Sequence, residues 1–166
     1  MKNKKDFFVS YDNFLDKKLI SKLKHETIER DTFPFYFQKT VATTKETNGD
    51  FYFVHTVYNN NKPNSPLLDL FEPILKKLNV KSLIRIKINL YPRTEKIHYH
   101  ASHADYDFKH KGCLLSLNTC NGFTIIGKEK IPSIENQALL FDPSIKHNST
   151  TCTNRQARFN INFNYF

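Results

Sequence analysis

His98-Tyr99-His100-Ala101-Ser102-His103-Ala104-Asp105-Tyr106-Asp107 places three imidazoles and two carboxylates in ten consecutive positions. Within this stretch, His103 and Asp105 are two positions apart. On a β-strand, side chains at i and i+2 point to the same face, so this imidazole and this carboxylate are predicted to converge on one point. Convergent nitrogen and oxygen ligands are what a metal ion needs, so this stretch is a candidate metal site.

A third ligand is available downstream at His147, in the segment Ser144-Ile145-Lys146-His147-Asn148-Ser149. Two histidines and one carboxylate form the facial triad that binds non-heme Fe(II) and leaves coordination positions open. We therefore predict that His103, Asp105 and His147 are the metal ligands and form the catalytic centre.

Other ligand sets remain open. His98 and His100 are also two positions apart, and His110 lies close by, but none of the three has a carboxylate two residues later. We expect these histidines to support the site or to face solvent. Asp107 replaces Asp105 only if the chain bulges between them.

Two strands with strict alternation flank the histidine-rich stretch. From Ile84 to Tyr91 the polar members are Arg85, Lys87, Asn89 and Tyr91, and from Arg158 to Tyr165 they are Arg158, Asn160, Asn162 and Asn164. Each strand therefore has one polar and one apolar face. Because Arg158 is close in sequence to His147, we predict that the polar faces look inward to the metal and the apolar faces pack on helices. The opposite orientation, with the polar faces in solvent, is the alternative.

The order of elements indicates an α+β fold. A helix is expected to start near Phe14, capped by Asp12 or Asn13, and a second at Ser65-Pro66, interrupted at Pro73; at least six short strands follow. The strands suggest a double-stranded β-helix (jelly-roll) barrel with N-terminal supporting helices. We predict one domain over 1–166, with helical support and the first strands in 1–80 and the catalytic jelly-roll core in 81–166. The polar segment Thr40–Gly49 is a candidate lid over the barrel mouth.

Composition narrows the class of protein. The chain has 166 residues and a formal charge of +9, which is compatible with an acidic partner such as nucleic acid, but its lysines are scattered. No apolar run approaches the roughly 18 residues that span a membrane. The cysteines Cys113, Cys120 and Cys152 lack CxxC spacing and are expected to be reduced thiols rather than a zinc site. We predict a soluble, cytoplasmic protein, located in the host cytoplasm if a phage encodes it.

Taken together, His103-x-Asp105, His147 and Arg158, in that order, resemble the 2-oxoglutarate/Fe(II)-dependent dioxygenases. Leu90-Tyr91-Pro92 before the His-x-Asp, and Leu117-Asn118 followed by Gly122, resemble the prolyl-hydroxylase-like branch, and especially the small stand-alone oxygenases of bacteriophages and marine bacteria. The resemblance covers residues 83–166 well. Relatives often place a Tyr where this chain has Ser116.

The resemblance implies Fe(II) as cofactor, with 2-oxoglutarate and O2 as co-substrates. Arg158 would bind the distal carboxylate of 2-oxoglutarate in a bidentate pair, with Tyr91 and Asn162 as further contacts and Arg155 as the rival arginine. The implied reaction is hydroxylation of an unactivated C–H bond, with a peptide or protein substrate favoured. A nucleic-acid-modifying oxygenase of the same superfamily and a non-oxygenase metal-binding barrel are the alternatives, and the oligomeric state is not predicted.

Overall fold

The strands and helices are defined by a computed structural model that describes residues 2–5, 7–42 and 51–166. Most of the candidate lid, Thr40–Gly49, lies outside the described residues. The strands are β1 (Lys2–Lys5), β2 (Phe8–Tyr11), β3 (Tyr36–Gln38), β4 (Tyr52–Asn59), β5 (Lys62–Pro63), β6 (Leu83–Pro92), β7 (Lys111–Ser116), β8 (Cys120–Ile126), β9 (Glu129–Ser133), β10 (Ala138–Phe141), β11 (His147–Ser149) and β12 (Ala157–Tyr165).

These strands form two antiparallel sheets within the described ranges. The larger sheet has nine strands in the order β1-β2-β10-β7-β12-β6-β4-β3, with β5 paired to β4, and the smaller has the order β11-β8-β9. The expected antiparallel β architecture with few helices is confirmed. Closure of the two sheets into a double-stranded β-helix barrel stays a prediction.

The helices begin later than the sequence predicts. The first, α1 (Lys17–Glu26), is capped by Asp16, whose carboxylate accepts a hydrogen bond from the Leu19 amide at 2.8 Å, so the predicted caps Asp12 and Asn13 are wrong. The predicted helix at Ser65-Pro66 starts instead as a 3₁₀ turn over Leu68–Phe71 and continues as α2 (Glu72–Lys77). Pro73 lies in the first turn of α2, where its missing amide hydrogen costs no hydrogen bond, so the chain changes there from 3₁₀ to α-helical geometry rather than being interrupted.

The two alternating strands are neighbours, and their apolar faces make the core. Strand β12 pairs with β6 in an antiparallel register. Ile86 and Ile88 of β6 and Phe163 of β12 are fully buried in one cluster with Leu23 of α1 and Ile74 of α2. The predicted orientation is therefore confirmed: the apolar faces pack against the helices, and the polar faces of both strands are free to line a cavity.

No helix in the parts of the chain that the structure describes is both long and apolar enough to cross a membrane.

Candidate metal centre

The ligand atoms of His103, Asp105 and His147 lie within 4.8 Å of one another, as predicted from the sequence. Nε2 of His103 is 3.6 Å from Oδ1 of Asp105, and the two imidazole rings lie 4.6 Å apart between centroids. All three side chains are half-buried or buried. Two nitrogens and one carboxylate oxygen at this spacing match the donor set of a non-heme iron site.

The backbone brings these ligands together by a route that differs from the predicted strand. His103 and Asp105 lie between β6 and β7, in a segment that forms two isolated β-bridges, Tyr99 with Thr150 and His103 with His147, rather than a strand. The His103 amide donates to the His147 carbonyl at 2.9 Å, and the His147 amide donates back to the His103 carbonyl at 2.8 Å. The Asp105 amide donates to the Pro143 carbonyl at 2.9 Å, so a second backbone bond to the same downstream segment fixes the carboxylate.

Both ligand histidines have one ring nitrogen directed at a backbone carbonyl. Nδ1 of His147 is 2.9 Å from the Ile145 carbonyl oxygen, and Nδ1 of His103 is 3.4 Å from that of Ala101. A proton on Nδ1 leaves the lone pair of Nε2 for a metal, the usual arrangement for a metal-binding histidine. Burial lowers the pKa of His147, which keeps its ring in the neutral form that binds metal.

Asp105 is held by three side chains of the inner strand faces. Asn162 and Asn164 each donate an amide hydrogen to Oδ2, at 3.0 and 2.8 Å, and the Arg85 guanidinium lies 3.1 Å from Oδ1. Burial raises the pKa of the Asp105 carboxyl, but the neighbouring His103, the charge of Arg85 and the hydrogen bond from Asn164 together hold this pKa well below its ordinary value. Asp105 is therefore ionised, which is the form in which a carboxylate can bind a metal ion.

The ligands stand on the wall of a cavity of about 250 Å³. Its walls include the inward polar faces of β6 and β12, with further residues from β4, β7, β8, β10 and β11. The polar lining residues from β6 and β12 are Arg85, Lys87, Asn89, Tyr91, Asn160 and Asn162. The alternation in the sequence thus identifies the cavity walls as well as the core.

Arg158 is 1% exposed and lies behind the cavity lining rather than in it. Its Nη1 donates to the carbonyls of Phe123 and Thr150, at 2.8 and 3.1 Å, and its Nη2 donates to Thr124 Oγ1 at 2.7 Å. Thr124 itself lines the cavity, so one side chain separates the guanidinium from the interior. A Cβ at Gly122 would lie 2.6 Å from the Thr151 carbonyl oxygen and 2.9 Å from Arg158 Cδ, so a larger residue would clash there.

Tyr91 also lines the cavity, beside Arg158, whose guanidinium carbon is 5.8 Å from the tyrosine ring centroid. The ring is stacked between those of Tyr52 and His100, at centroid distances of 5.5 and 5.1 Å. Burial raises the pKa values of Tyr91 and Tyr52, so both phenols stay protonated and available as donors.

The rival ligands fall outside the metal cluster. His100 is buried with Nδ1 2.8 Å from Ser149 Oγ, and His110 is buried with Nε2 3.0 Å from the Asn164 amide nitrogen. Asp107 is exposed, and so is Arg155, the rival of Arg158. His110 therefore supports Asn164, which in turn holds Asp105.

Sequence reasoning missed the contacts that hold Asp105. Arg85, Asn164 and His110 were recognised as polar residues of inward faces or as rival ligands, but not as supports of one carboxylate. The signal that would have found Arg85 and Asn164 together is the register of β6 on β12, in which they are direct partners. Ser116, where relatives often have a tyrosine, is buried beside Ser133 and does not line the cavity.

No family model and no curated protein matches the chain by sequence. Solved structures match over nearly the whole chain. A viral collagen prolyl hydroxylase from Paramecium Bursaria Chlorella virus-1, in its 2OG complex, has a TM-score of 0.66 at 12% identity and covers 96% of this chain and 95% of its own. A Trichoplax adhaerens prolyl hydroxylase in complex with a hypoxia inducible factor peptide has a TM-score of 0.70 at 14% identity, with 97% and 84% covered.

A third structure, an oxidoreductase of the 2OG-Fe(II) oxygenase family from Burkholderia pseudomallei, has a TM-score of 0.69 at 12% identity and covers 95% of this chain and 84% of its own. The likeness to all three lies in the fold, because so few residues are identical. The resemblance suspected from His103, Asp105, His147 and Arg158 thus points to the same proteins as the three-dimensional comparison. This chain has the fold of the 2-oxoglutarate/Fe(II)-dependent oxygenases of the prolyl-hydroxylase-like type.

Proposed function

We propose that this protein is an Fe(II)- and 2-oxoglutarate-dependent dioxygenase, built on a double-stranded β-helix barrel, that hydroxylates an unactivated C–H bond. The observation that carries the proposal is the cluster of His103, Asp105 and His147 on the wall of a cavity about 250 Å³ in size. The fold of the chain supports it, since the matching structures include oxygenases that use this chemistry.

The donor set fits Fe(II). Nε2 of His103, Nε2 of His147 and a carboxylate oxygen of Asp105 would hold the ion, because the Nδ1 atoms are directed at carbonyls and Asp105 is ionised. When bound, the iron supplies the means to use O2 and 2-oxoglutarate for hydroxylation, with succinate and CO2 as the other products. The protein's own part is orientation, and Asn162 and Asn164 orient Asp105 through its second oxygen.

Arg158, Tyr91 and Asn162 are the proposed contacts of 2-oxoglutarate. A carboxylate that reached the cavity floor would meet the Tyr91 hydroxyl directly and Arg158 after displacing the Thr124 hydroxyl from Nη2. Nε of Arg158 is buried and lacks a hydrogen-bond partner in the described chain, so this guanidinium retains bonding capacity for an anion. Asn162 donates to Asp105, and its second role would be to contact the co-substrate from the same face.

A peptide or protein is the proposed primary substrate. The Trichoplax neighbour is described as bound to a peptide, and other neighbours are described as prolyl hydroxylases. Cytoplasmic location is part of the same proposal. The formal charge of +9 is also compatible with a nucleic-acid substrate. The experiment must therefore distinguish a peptide substrate from a nucleic acid.

The test is 2-oxoglutarate turnover, measured as succinate formed by protein supplied with Fe(II) and O2. We expect slow basal turnover, stimulation by a pool of random-sequence peptides, and weaker co-substrate affinity in Arg158→Met with its Fe(II) content retained. Stimulation by single-stranded oligonucleotides alone would overturn the peptide assignment. Absence of succinate under all conditions, with iron bound, would overturn the oxygenase assignment.

A further inference from the structure

Counted over the described part of the chain, the cavity lining has one more cationic side chain than its carboxylates neutralise. Among the described residues that line it, the cationic side chains are Arg85 and Lys87 and the carboxylate is Asp105. Arg85 is paired with Asp105 at 3.1 Å. The polar contact of the Lys87 ammonium is the hydroxyl of Tyr52, at 3.4 Å, which is a neutral oxygen.

Lys87 stands at the level of the metal centre. In the register of β6 on β12, Lys87 lies opposite Asn162, whose amide donates to the ligand Asp105. Arg158 lies opposite Tyr91, four residues further along β6, which is roughly 13 Å at the rise of an antiparallel strand. Lys87 and Arg158 therefore lie at different ends of the cavity. A co-substrate that extends from the metal to Arg158 would leave Lys87 without an anionic partner.

Among the residues that the structure describes, no carboxylate pairs with the half-buried Lys87 ammonium, and a buried charge of this kind is costly unless an anion binds to it. The Tyr52 ring lies 5.7 Å from the Lys87 nitrogen, and its protonated hydroxyl is a second donor beside that ammonium. Two donors converging on one place in a cavity of this size match a single carboxylate group. A chain that only needed a core residue at position 87 would have an apolar side chain there.

We propose that Lys87, with the Tyr52 hydroxyl, is the receptor for a carboxylate of the primary substrate, so that the enzyme acts on acidic molecules or next to an acidic side chain. This inference rests on the proposed function. In this proposal Lys87 of β6 selects the class of primary substrate, whereas the residues around Arg158 bind the co-substrate.

The test is an anaerobic binding experiment with Fe(II) and 2-oxoglutarate loaded. The probes are N-acetyl-aspartate methylamide and its uncharged asparagine counterpart, and binding is followed by calorimetry and by the perturbation of the metal–co-substrate absorption. The variants are Lys87→Met, Lys87→Arg and, as a control on an exposed lysine outside the cavity, Lys130→Met. Circular dichroism confirms that each variant is folded.

We expect wild type and Lys130→Met to prefer the acidic probe by about tenfold or more, the range of hydrogen bonds to charged groups. Lys87→Met should lose that preference with less than about threefold change in 2-oxoglutarate affinity, and Lys87→Arg should keep it. If Lys87→Met instead weakens 2-oxoglutarate about tenfold, the carboxylate at Lys87 is that of the co-substrate and the substrate assignment is overturned.

Equal binding of the two probes by wild type, or no effect of Lys87→Met on either anion, also overturns the inference while leaving the oxygenase proposal intact. Failure of the proposed function looks different, because wild type would then show no 2-oxoglutarate binding at all in the presence of Fe(II). That result overturns both.

Discussion

His103 and His147 are cross-strand partners that exchange both backbone hydrogen bonds, at 2.9 and 2.8 Å, and place their rings 4.6 Å apart. This bridge joins the irregular segment before β7 to the first residue of β11, and a second bridge joins Tyr99 of the same segment to Thr150, just beyond β11. Since paired residues in a bridge project their side chains to the same face, both imidazoles reach the metal position without any further adjustment. The convergence of the two proposed ligands is therefore a consequence of their backbone pairing.

Removal of one ligand should abolish metal binding rather than weaken it slightly. We expect His103→Ala to lose stoichiometric Fe(II), because two remaining ligands cannot hold the ion in the facial arrangement. His98→Ala is the matched control, a nearby histidine outside the cluster, and should retain the metal. Metal content after anaerobic gel filtration measures both, and full loss of iron from the His98 variant would reassign the ligand set.

Asn164 provides a sharper test, since it never touches the metal in this account. Its amide donates to Asp105 Oδ2 at 2.8 Å, so Asn164→Leu should lower Fe(II) affinity by about 10–100-fold, the usual effect of losing a group that orients a ligand. Asn121→Ala, an exposed asparagine that does not line the cavity, should not change it. Competition with a chelator measures the affinity, and equal values for the two variants would remove Asn164 from the site.

The alternation in β6 and β12 was sufficient to predict which face of each strand is polar and that both polar faces look inward. Period-2 patterning carries that information because successive side chains point to opposite faces. The sequence of one strand does not determine which residues of its neighbour lie opposite. The Arg85–Asn164 pair that supports Asp105 was therefore not predicted. The same limit hid Lys87, which by pattern alone is simply one of four inward polar residues.

The helix starts were predicted wrongly for a different reason. Asp12 and Asn13 have the composition of caps, but the chain there is held by a distant residue: the Leu15 amide donates to Asn136 Oδ1 at 2.9 Å, and Asn136 Nδ2 donates to the Leu15 carbonyl at 2.8 Å. These tertiary bonds hold the segment in a non-helical turn until Asp16 caps α1. Local propensity yields to such contacts routinely.

The same contacts yield a stability prediction. Asn136 has a φ of 59°, in the left-handed region, so alanine there loses two buried hydrogen bonds and also strains the backbone. We expect Asn136→Ala to lower the free energy of unfolding by about 3 kcal/mol, and Asn136→Gly to be about 1 kcal/mol less harmful because glycine accepts this φ. Urea denaturation measures both. If the two variants are equally destabilised, the backbone conformation contributes nothing.

Carboxylate binding at Lys87 should depend on pH in a definite direction. Burial, and secondarily the charge of Arg85, lowers the pKa of Lys87 to about 8 against the opposing effect of Asp105. The ammonium is therefore charged below pH 8 and progressively lost above it. The preference for the acidic over the uncharged probe should be constant up to about pH 8 and then fall by up to about tenfold per pH unit.

Arginine stays protonated throughout this range, so Lys87→Arg should show a flat preference from pH 7 to 9.5. The ratio of the affinities for the two probes is taken at each pH, because effects of pH on the metal centre alter both affinities equally and cancel. A wild-type preference that remains flat to pH 9.5 would contradict the assignment of the titrating group.

The most direct test of the central claim is anaerobic titration of the purified protein with Fe(II) and 2-oxoglutarate, followed by visible absorption. Chelation of ferrous iron by 2-oxoglutarate produces a weak charge-transfer band, which we predict in the wild-type protein at one equivalent of each and not in His147→Ala. If the wild-type protein binds Fe(II) but 2-oxoglutarate produces neither a band nor measurable affinity, the His103, Asp105 and His147 cluster is a metal centre of another kind and the dioxygenase account is wrong.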